Sequence, residues 1–183
     1  MARTKTRFSF SEQHTSGKSL KSTLSSSLFH GRRMDIKIGH LSISHLAKLY
    51  EIEKQCFEQE AFTKQQLAYL LTDYNVIGLA ARVNGEIVGF AIARVDLIRN
   101  APFGHIFTLD ITPAYRRKGI AQKLLHEIET TFKEGGIKEC RLEVREDNVA
   151  ALNLYQKLGY KKVGTLEKYY GNAHGLYLKK ILH

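Results

Sequence analysis

The dipeptide Asn84-Gly85 constrains this chain more than any other local feature. It lies between residues 76–83 and 86–97, two runs rich in Val, Ile, Leu and Ala, and both of its residues tolerate the positive φ that a two-residue hairpin turn demands. An antiparallel pair of strands is therefore expected in mid-chain. Upstream, residues 34–38 read as a first strand, and Ser44 can cap a helix that carries Leu46, Leu49, Tyr50, Ile52 and Cys56 on a 3.6-residue period. Thr63 followed by Gln66 is a capping box that opens a second helix running through Leu71.

Downstream the alternation continues. Residues 104–111 read as a fourth strand ended by Thr112-Pro113, because Pro has no amide to donate and biases its predecessor away from helix. A helix follows with Ile120, Leu124, Ile128 and Phe132 on one stripe, and Gly135-Gly136 stops it. Residues 140–145 make a fifth strand. Asn148 caps a helix over 149–158, Gly159 ends it, and residues 160–166 and 174–180 form two last strands around the loop 167–173. Strands alternating with helices over residues 34–183 predict one mixed α/β domain, and 43% hydrophobic residues suffice for its core.

Residues 1–33 differ in kind. They hold seven of the basic residues (Arg3, Lys5, Arg7, Lys18, Lys21, Arg32, Arg33) against Glu12 alone, so most of the formal charge of +10 sits in this segment. Rich in Ser and short of large apolar groups, it reads as a flexible tail that cannot bury enough surface to offset the entropy of ordering. The same composition also resembles an organellar transit peptide, with Leu20, Leu24 and Leu28 at helical spacing. No run approaches the roughly 18 apolar residues that span a bilayer, and the start lacks the apolar block of a secretory signal. A soluble, cytoplasmic protein without a membrane partner is expected. Cys56 and Cys140 have no Cys or His neighbour at metal-ligand spacing, so they read as buried small hydrophobes and no metal is expected.

The most informative run for chemistry is Arg116-Arg117-Lys118-Gly119-Ile120-Ala121, which follows a strand and opens a helix. Unpaired backbone amides and the positive end of the helix dipole converge there, a geometry that binds phosphate without any particular side chain. Gly119 lets the backbone approach a ligand, and small Ala121 keeps the helix start uncrowded.

This pattern, R-x-x-G-x-A preceded by Leu109-Asp110-Ile111-Thr112-Pro113, resembles the acetyl-CoA signature of the GNAT superfamily. A second run, from Leu142-Glu143-Val144-Arg145 through Asn148 and Tyr155 to Gly159-Tyr160, is similar to the RimI-like ribosomal-protein alanine acetyltransferases and their archaeal and eukaryotic N-terminal acetyltransferase relatives, as is the pair Tyr169-Tyr170. The resemblance covers residue 34 to the C-terminus and leaves the tail unmatched. It implies the GNAT fold, a mixed central sheet of about seven strands with flanking helices, splayed between the fourth and fifth strands. It implies acetyl-CoA as cofactor, held by the strand backbone of Leu109, Asp110 and Ile111, by Arg116, Arg117, Lys118, Gly119, Ile120, Ala121 and Gln122 at the pyrophosphate, and by Asn148.

Acetyl transfer from a thioester to an amine needs a base for the amine, a donor for the carbonyl oxygen and an acid for the departing thiolate. In the RimI-like pattern Glu143 and Tyr155 fall at the base and acid positions. His105 matches a fourth-strand His of the archaeal relatives and is the alternative base. Glu58 or Glu60 corresponds to a loop Glu of the same relatives that would bind substrate, and Tyr169 and Tyr170, paired aromatics in an exposed loop, would wall a groove for a peptide N-terminus. A backbone amide near Ile111 would be the oxyanion donor. The expected partner is a protein N-terminus, ribosomal or nascent, met by a monomer or weak homodimer. Two other readings stand beside it: acetylation of lysine side chains or small amines, and nucleic-acid binding. The charge alone suggests the latter, but residues 34–183 are only mildly basic and carry no recognised nucleic-acid motif.

Overall fold

The computed structural model describes residues 34–57 and 61–183. The tail and the loop residues Glu58 and Glu60 lie outside the described residues, and with them the expectations placed on those positions. Seven strands form one sheet: β1 (Ile36–His40), β2 (Val76–Val83), β3 (Glu86–Ile98), β4 (Ala101–Ile111), β5 (Glu139–Arg145), β6 (Lys161–Leu166) and β7 (Gly175–Ile181), in the order β1-β2-β3-β4-β5-β7-β6. Four helices join them: α1 (Leu46–Cys56), α2 (Lys64–Thr72), α3 (Ile120–Glu134) and α4 (Val149–Lys157). None is long and apolar enough to cross a membrane.

The local chemistry read from the sequence accounts for most boundaries. Asn84 and Gly85 sit at φ 51° and 86° and turn β2 into β3. The Thr63 hydroxyl accepts from the Gln66 amide at 3.2 Å, while the Thr63 amide donates to the Gln66 side chain at 2.8 Å, closing the capping box of α2. Three expectations are corrected. The first strand starts two residues later than 34, and the chain before α1 makes a short 3-10 turn over Ile43–His45 headed by Ser42, whose amide donates to His45 Nδ1. Ser44 therefore caps nothing. The fourth strand begins at Ala101 rather than 104, because Arg99 and Asn100 at φ 49° and 66° make a second tight hairpin.

The two faces of the sheet bury separate cores. On one face Ile120, Leu124, Ile128 and Phe132 of α3 pack with Tyr155 of α4 against Ile106, Leu142 and Val144. On the other, Leu49, Ile52 and Leu67 of α1 and α2 pack against Phe90, Ile92 and Phe107. Each fully buried Leu, Ile or Phe contributes about 1.5–3 kcal/mol by leaving water. A buried network ties the first face together: Glu129 of α3 accepts from Tyr160 Oη at 2.9 Å and from Lys180 Nζ of β7 at 2.6 Å.

The contact between β4 and β5 decides where a site can form. It is the parallel pairing of this sheet, and its register covers Gly104↔Cys140 and His105↔Arg141 alone. Beyond His105 the strands diverge, so the expected splay between the fourth and fifth strands is present. A bulge helps to open it. Ala93 pairs with Ile106 and Ile92 with Thr108, which leaves Phe107 as an extra residue in β4 and reverses the alternation of side chains after it. His105 and Phe107 consequently lie on the α1–α2 face, and Ile106, Leu109 and Ile111 on the α3–α4 face.

Candidate active site

The loop between β4 and α3 is wound by two left-handed residues. Arg117 has φ 61° and Gly119, the N-cap of α3, has φ 80°. The first hydrogen bond back into the helix runs from the Lys123 amide to the Gly119 carbonyl, so the amides of Ile120, Ala121 and Gln122 precede any intrahelical acceptor and point out of the helix start. A Cβ built on Gly119 meets nothing within 4 Å. These amides open on a cleft of about 330 Å³ walled by Tyr115, Arg117, Gly119 and Ala121 on one side and Asn153 and Leu154 of α4 on the other. Donors, a dipole end and open space before a glycine fit a phosphate-bearing ligand.

The three cations are not equivalent. Arg116 turns inward, donating from Nε to the Ile111 carbonyl at 3.0 Å and approaching the Cys56 sulfur at 3.7 Å. Lys118 folds back onto the Ala114 carbonyl and over the Tyr115 ring. Arg117 is exposed. Arg116 thus braces the end of β4 against α1, a role its place in the motif did not suggest. Leu109, Asp110 and Ile111 line the open edge of β4 with buried side chains, and Thr108 donates to Asp110 at 2.8 Å. Asn148 accepts from the Ala151 amide at 3.1 Å, so its side chain caps α4.

The two alternative bases meet each other. Where β4 and β5 still pair, His105 Nε2 lies 2.9 Å from Glu143 Oε2, although 38 residues separate them, and both residues are over nine-tenths buried. Arg145, two residues further along β5, pairs with Asp147 at 2.8 Å. His105 Nδ1 lies 2.9 Å from Asp96 Oδ2, and Asp96 Oδ1 accepts from Arg94 Nε at 2.7 Å. The imidazole sits between the rings of Phe103 and Phe107 at 5.8 and 4.7 Å. Burial alone would lower its pKa, but the two carboxylate hydrogen bonds and their charges outweigh it and raise the pKa to about 9. At neutral pH the His105 ring is therefore an imidazolium.

Tyr155 belongs to the other face. It is fully buried beneath α4, its ring 5.5 Å from Tyr160 in an edge-on contact, and burial pushes its hydroxyl well above the usual phenol range. Glu143 and Tyr155 thus approach the parting of β4 and β5 from opposite faces. Tyr169 and Tyr170 are less open than their loop position suggested: Tyr170 is buried, Tyr169 half-buried, and the rings meet edge-on at 5.1 Å. The Tyr170 amide donates to Ala173, and Tyr169 packs on Gly175, where a Cβ would lie 3.1 Å away. Burial raises the thiols of Cys56 and Cys140 to about 12, which leaves both inert at neutral pH.

Asp96 and Arg94 were not singled out from the sequence. Their signal was available: two opposite charges at i and i+2 in a hairpin strand share one face of the sheet.

The geometry can be set beside known proteins. A family model described as the acetyltransferase (GNAT) family matches residues 46–160. An N-alpha-acetyltransferase of Sulfurisphaera tokodaii is 35% identical over 117 residues, 59% of this chain and 70% of the relative. The N-alpha-acetyltransferase RimI of Mycobacterium tuberculosis is 35% identical over 142 residues, 74% of this chain and 84% of the relative. Among solved structures, the ribosomal-protein-S18-alanine N-acetyltransferase from Escherichia coli matches with a TM-score of 0.73 at 23% identity, covering 81% of this chain and 94% of that one. With a split seven-stranded sheet, an amide-rich helix start at the split and a family match over residues 46–160 that takes in both, the chain belongs to the GNAT acetyltransferase family.

Proposed function

We propose that the chain transfers an acetyl group from acetyl-CoA to the N-terminal α-amine of a protein, with Glu143 as proton acceptor and Tyr155 as proton donor. The observation that carries this reading is the buried His105–Glu143 pair at the mouth of the split, across the sheet from the cleft at α3. The names of the relatives support the class of substrate, and a ribosomal or nascent protein in the cytoplasm is the fitting acceptor.

Acetyl-CoA supplies the activated acetyl thioester. The amides of Ile120, Ala121 and Gln122, with Arg117 beside them, would hold its phosphates, and the unzipped edge of β4 from Ile106 to Ile111 would pair with its amide-bearing arm. On the α1–α2 face, an incoming ammonium must lose a proton before it can attack. Glu143 accepts it, and the imidazolium of His105 keeps that carboxylate oriented. An α-ammonium has a pKa of about 7.7–8.0 against about 10.4 for lysine, so a carboxylate is sufficient for the first and a poor match for the second. On the α3–α4 face Tyr155, which burial keeps protonated, has a proton to give.

Glu143→Gln and Tyr155→Phe each preserve shape and remove one proton-transfer function. Each should lower turnover by roughly 100- to 10,000-fold, since general acids and bases are worth that much; Tyr155→Phe should do so with little change in Tm, whereas Glu143→Gln should also lower Tm because it leaves the buried His105 imidazolium without one of its partners. Wild-type turnover in a folded Tyr155→Phe variant would remove Tyr155 as the donor. An active Glu143→Gln beside a dead His105→Ala would make His105 the base.

A further inference from the structure

The Glu143–His105 pair does not stand alone. Asp96 reaches His105 from β3, Arg94 grips Asp96 two residues away on the same face, and Asp73 at the end of α2 lies 3.5 Å from the Arg94 guanidinium, which also stacks 5.0 Å over Phe107. From β5, Arg141 is held by Glu139 and Tyr177 and lies over Phe103. The charged groups bonded to the His105 ring are Glu143 on one nitrogen and Asp96 on the other.

We propose that Asp96, clamped by Arg94, is a positioning residue for acetyl transfer: it fixes the ring of His105 so that Nε2 meets Glu143. This rests on the reading of Glu143 as proton acceptor. A carboxylate accepts and does not donate, so an imidazole flanked by two of them must carry a proton on each nitrogen. Remove the Asp96 charge and that state loses half its support. A neutral ring bonded to position 96 through Nδ1–H would turn the Nε2 lone pair toward the Glu143 carboxylate, which repels it. The ring then rotates away, and Glu143 loses the partner that holds it in place to meet the amine. Arg94 and Asp73 serve the same end by holding Asp96 in one rotamer. The raised pKa of His105, about 9, agrees with this arrangement.

The test uses the full-length protein. NMR titration of His105 should give a midpoint near 9 in the wild type and one about two pH units lower in Asp96→Asn, because a neighbouring opposite charge is worth about one to three pKa units. The imidazolium fraction at pH 8 then drops from about nine tenths to about one tenth, so kcat/KM on an α-amine peptide at that pH falls about tenfold and its alkaline limb moves down in step. Asp96→Glu should restore part of both. A His105 midpoint that Asp96→Asn leaves in place overturns the proposal, as does a midpoint that moves while the rate profile stays. A brace for the fold alone would lower Tm and move the His105 midpoint while leaving the rate profile in place. Glu143→Gln at wild-type turnover would instead remove the reading beneath the proposal, a result distinct from an unmoved His105 titration.

Discussion

Gly104→Ala asks how tightly the mouth of the split is built. Gly104 pairs with Cys140 in the short parallel ladder and immediately precedes His105. A Cβ at this position would fall 2.3, 2.4 and 2.8 Å from Cε2, Cδ2 and Cζ of Phe132, whereas carbons in contact sit at about 3.5–4.0 Å. The ring is 1% exposed, so it cannot swing outward, and α3 or β4 must recoil. Overpacking of a filled core costs about 1–3 kcal/mol, and an overlap of this depth on three ring atoms belongs at the upper end, about 3 kcal/mol. Recoil of β4 would also draw His105 from Glu143, so turnover on a peptide should fall together with the urea midpoint. Phe132→Leu, which alone costs about 1 kcal/mol, should recover much of the loss when combined with Gly104→Ala, since the two sites share one space. A Gly104→Ala protein with the wild-type midpoint and wild-type turnover would refute the packing argument.

Other outcomes follow from the same geometry. His105 has a folded pKa of about 9 against 6.5 unfolded, so it adds about 3 kcal/mol that is fully present below pH 6.5 and is lost as pH rises through 9; unfolding free energies should decline over that window in the wild type and stay flat in His105→Gln. Gly119→Val puts a β-branched residue at φ 80° in the amide-rich loop and should weaken acetyl-CoA binding at least about tenfold by calorimetry, an unchanged affinity in a folded variant counting against the phosphate site. Deleting residues 1–33 should leave the rate on a short peptide within about twofold of the full chain, and a large loss would make the tail part of the site.

Where a local rule governs a position, the sequence was a sufficient guide. Asn84-Gly85, the Thr63–Gln66 box and Asn148 act on backbone groups within a few residues, the α3 stripe follows the period of its own helix, and each is found where it was expected. The second hairpin was missed because Arg99 carries no preference for positive φ; pairing of the long strands imposes it. The bulge at Phe107 is equally silent in sequence, although it decides which face His105 and Leu109 occupy. Glu143 and His105 could be read only as competitors, since nothing within either strand says that the parallel pairing of β4 and β5 sets them 2.9 Å apart. Arg116 shows the same limit of local reading. Its motif position suggests phosphate, while its hydrogen bond to Ile111 depends on how β4 ends against α1.

The central claim, acetylation at a protein N-terminus, is tested most directly with two peptides of the same sequence and acetyl-CoA. One carries a free α-amine with its lysine blocked, the other a blocked N-terminus with a free lysine. With product located by mass spectrometry at pH 7.5, the first peptide should be acetylated briskly and the second barely, because the proposed base would have to deprotonate an α-ammonium near pKa 8 in one and a lysine near 10.4 in the other. Equal or faster acetylation of the blocked peptide at its lysine would contradict the account and place the chain among acetyltransferases that act on side-chain or small-molecule amines.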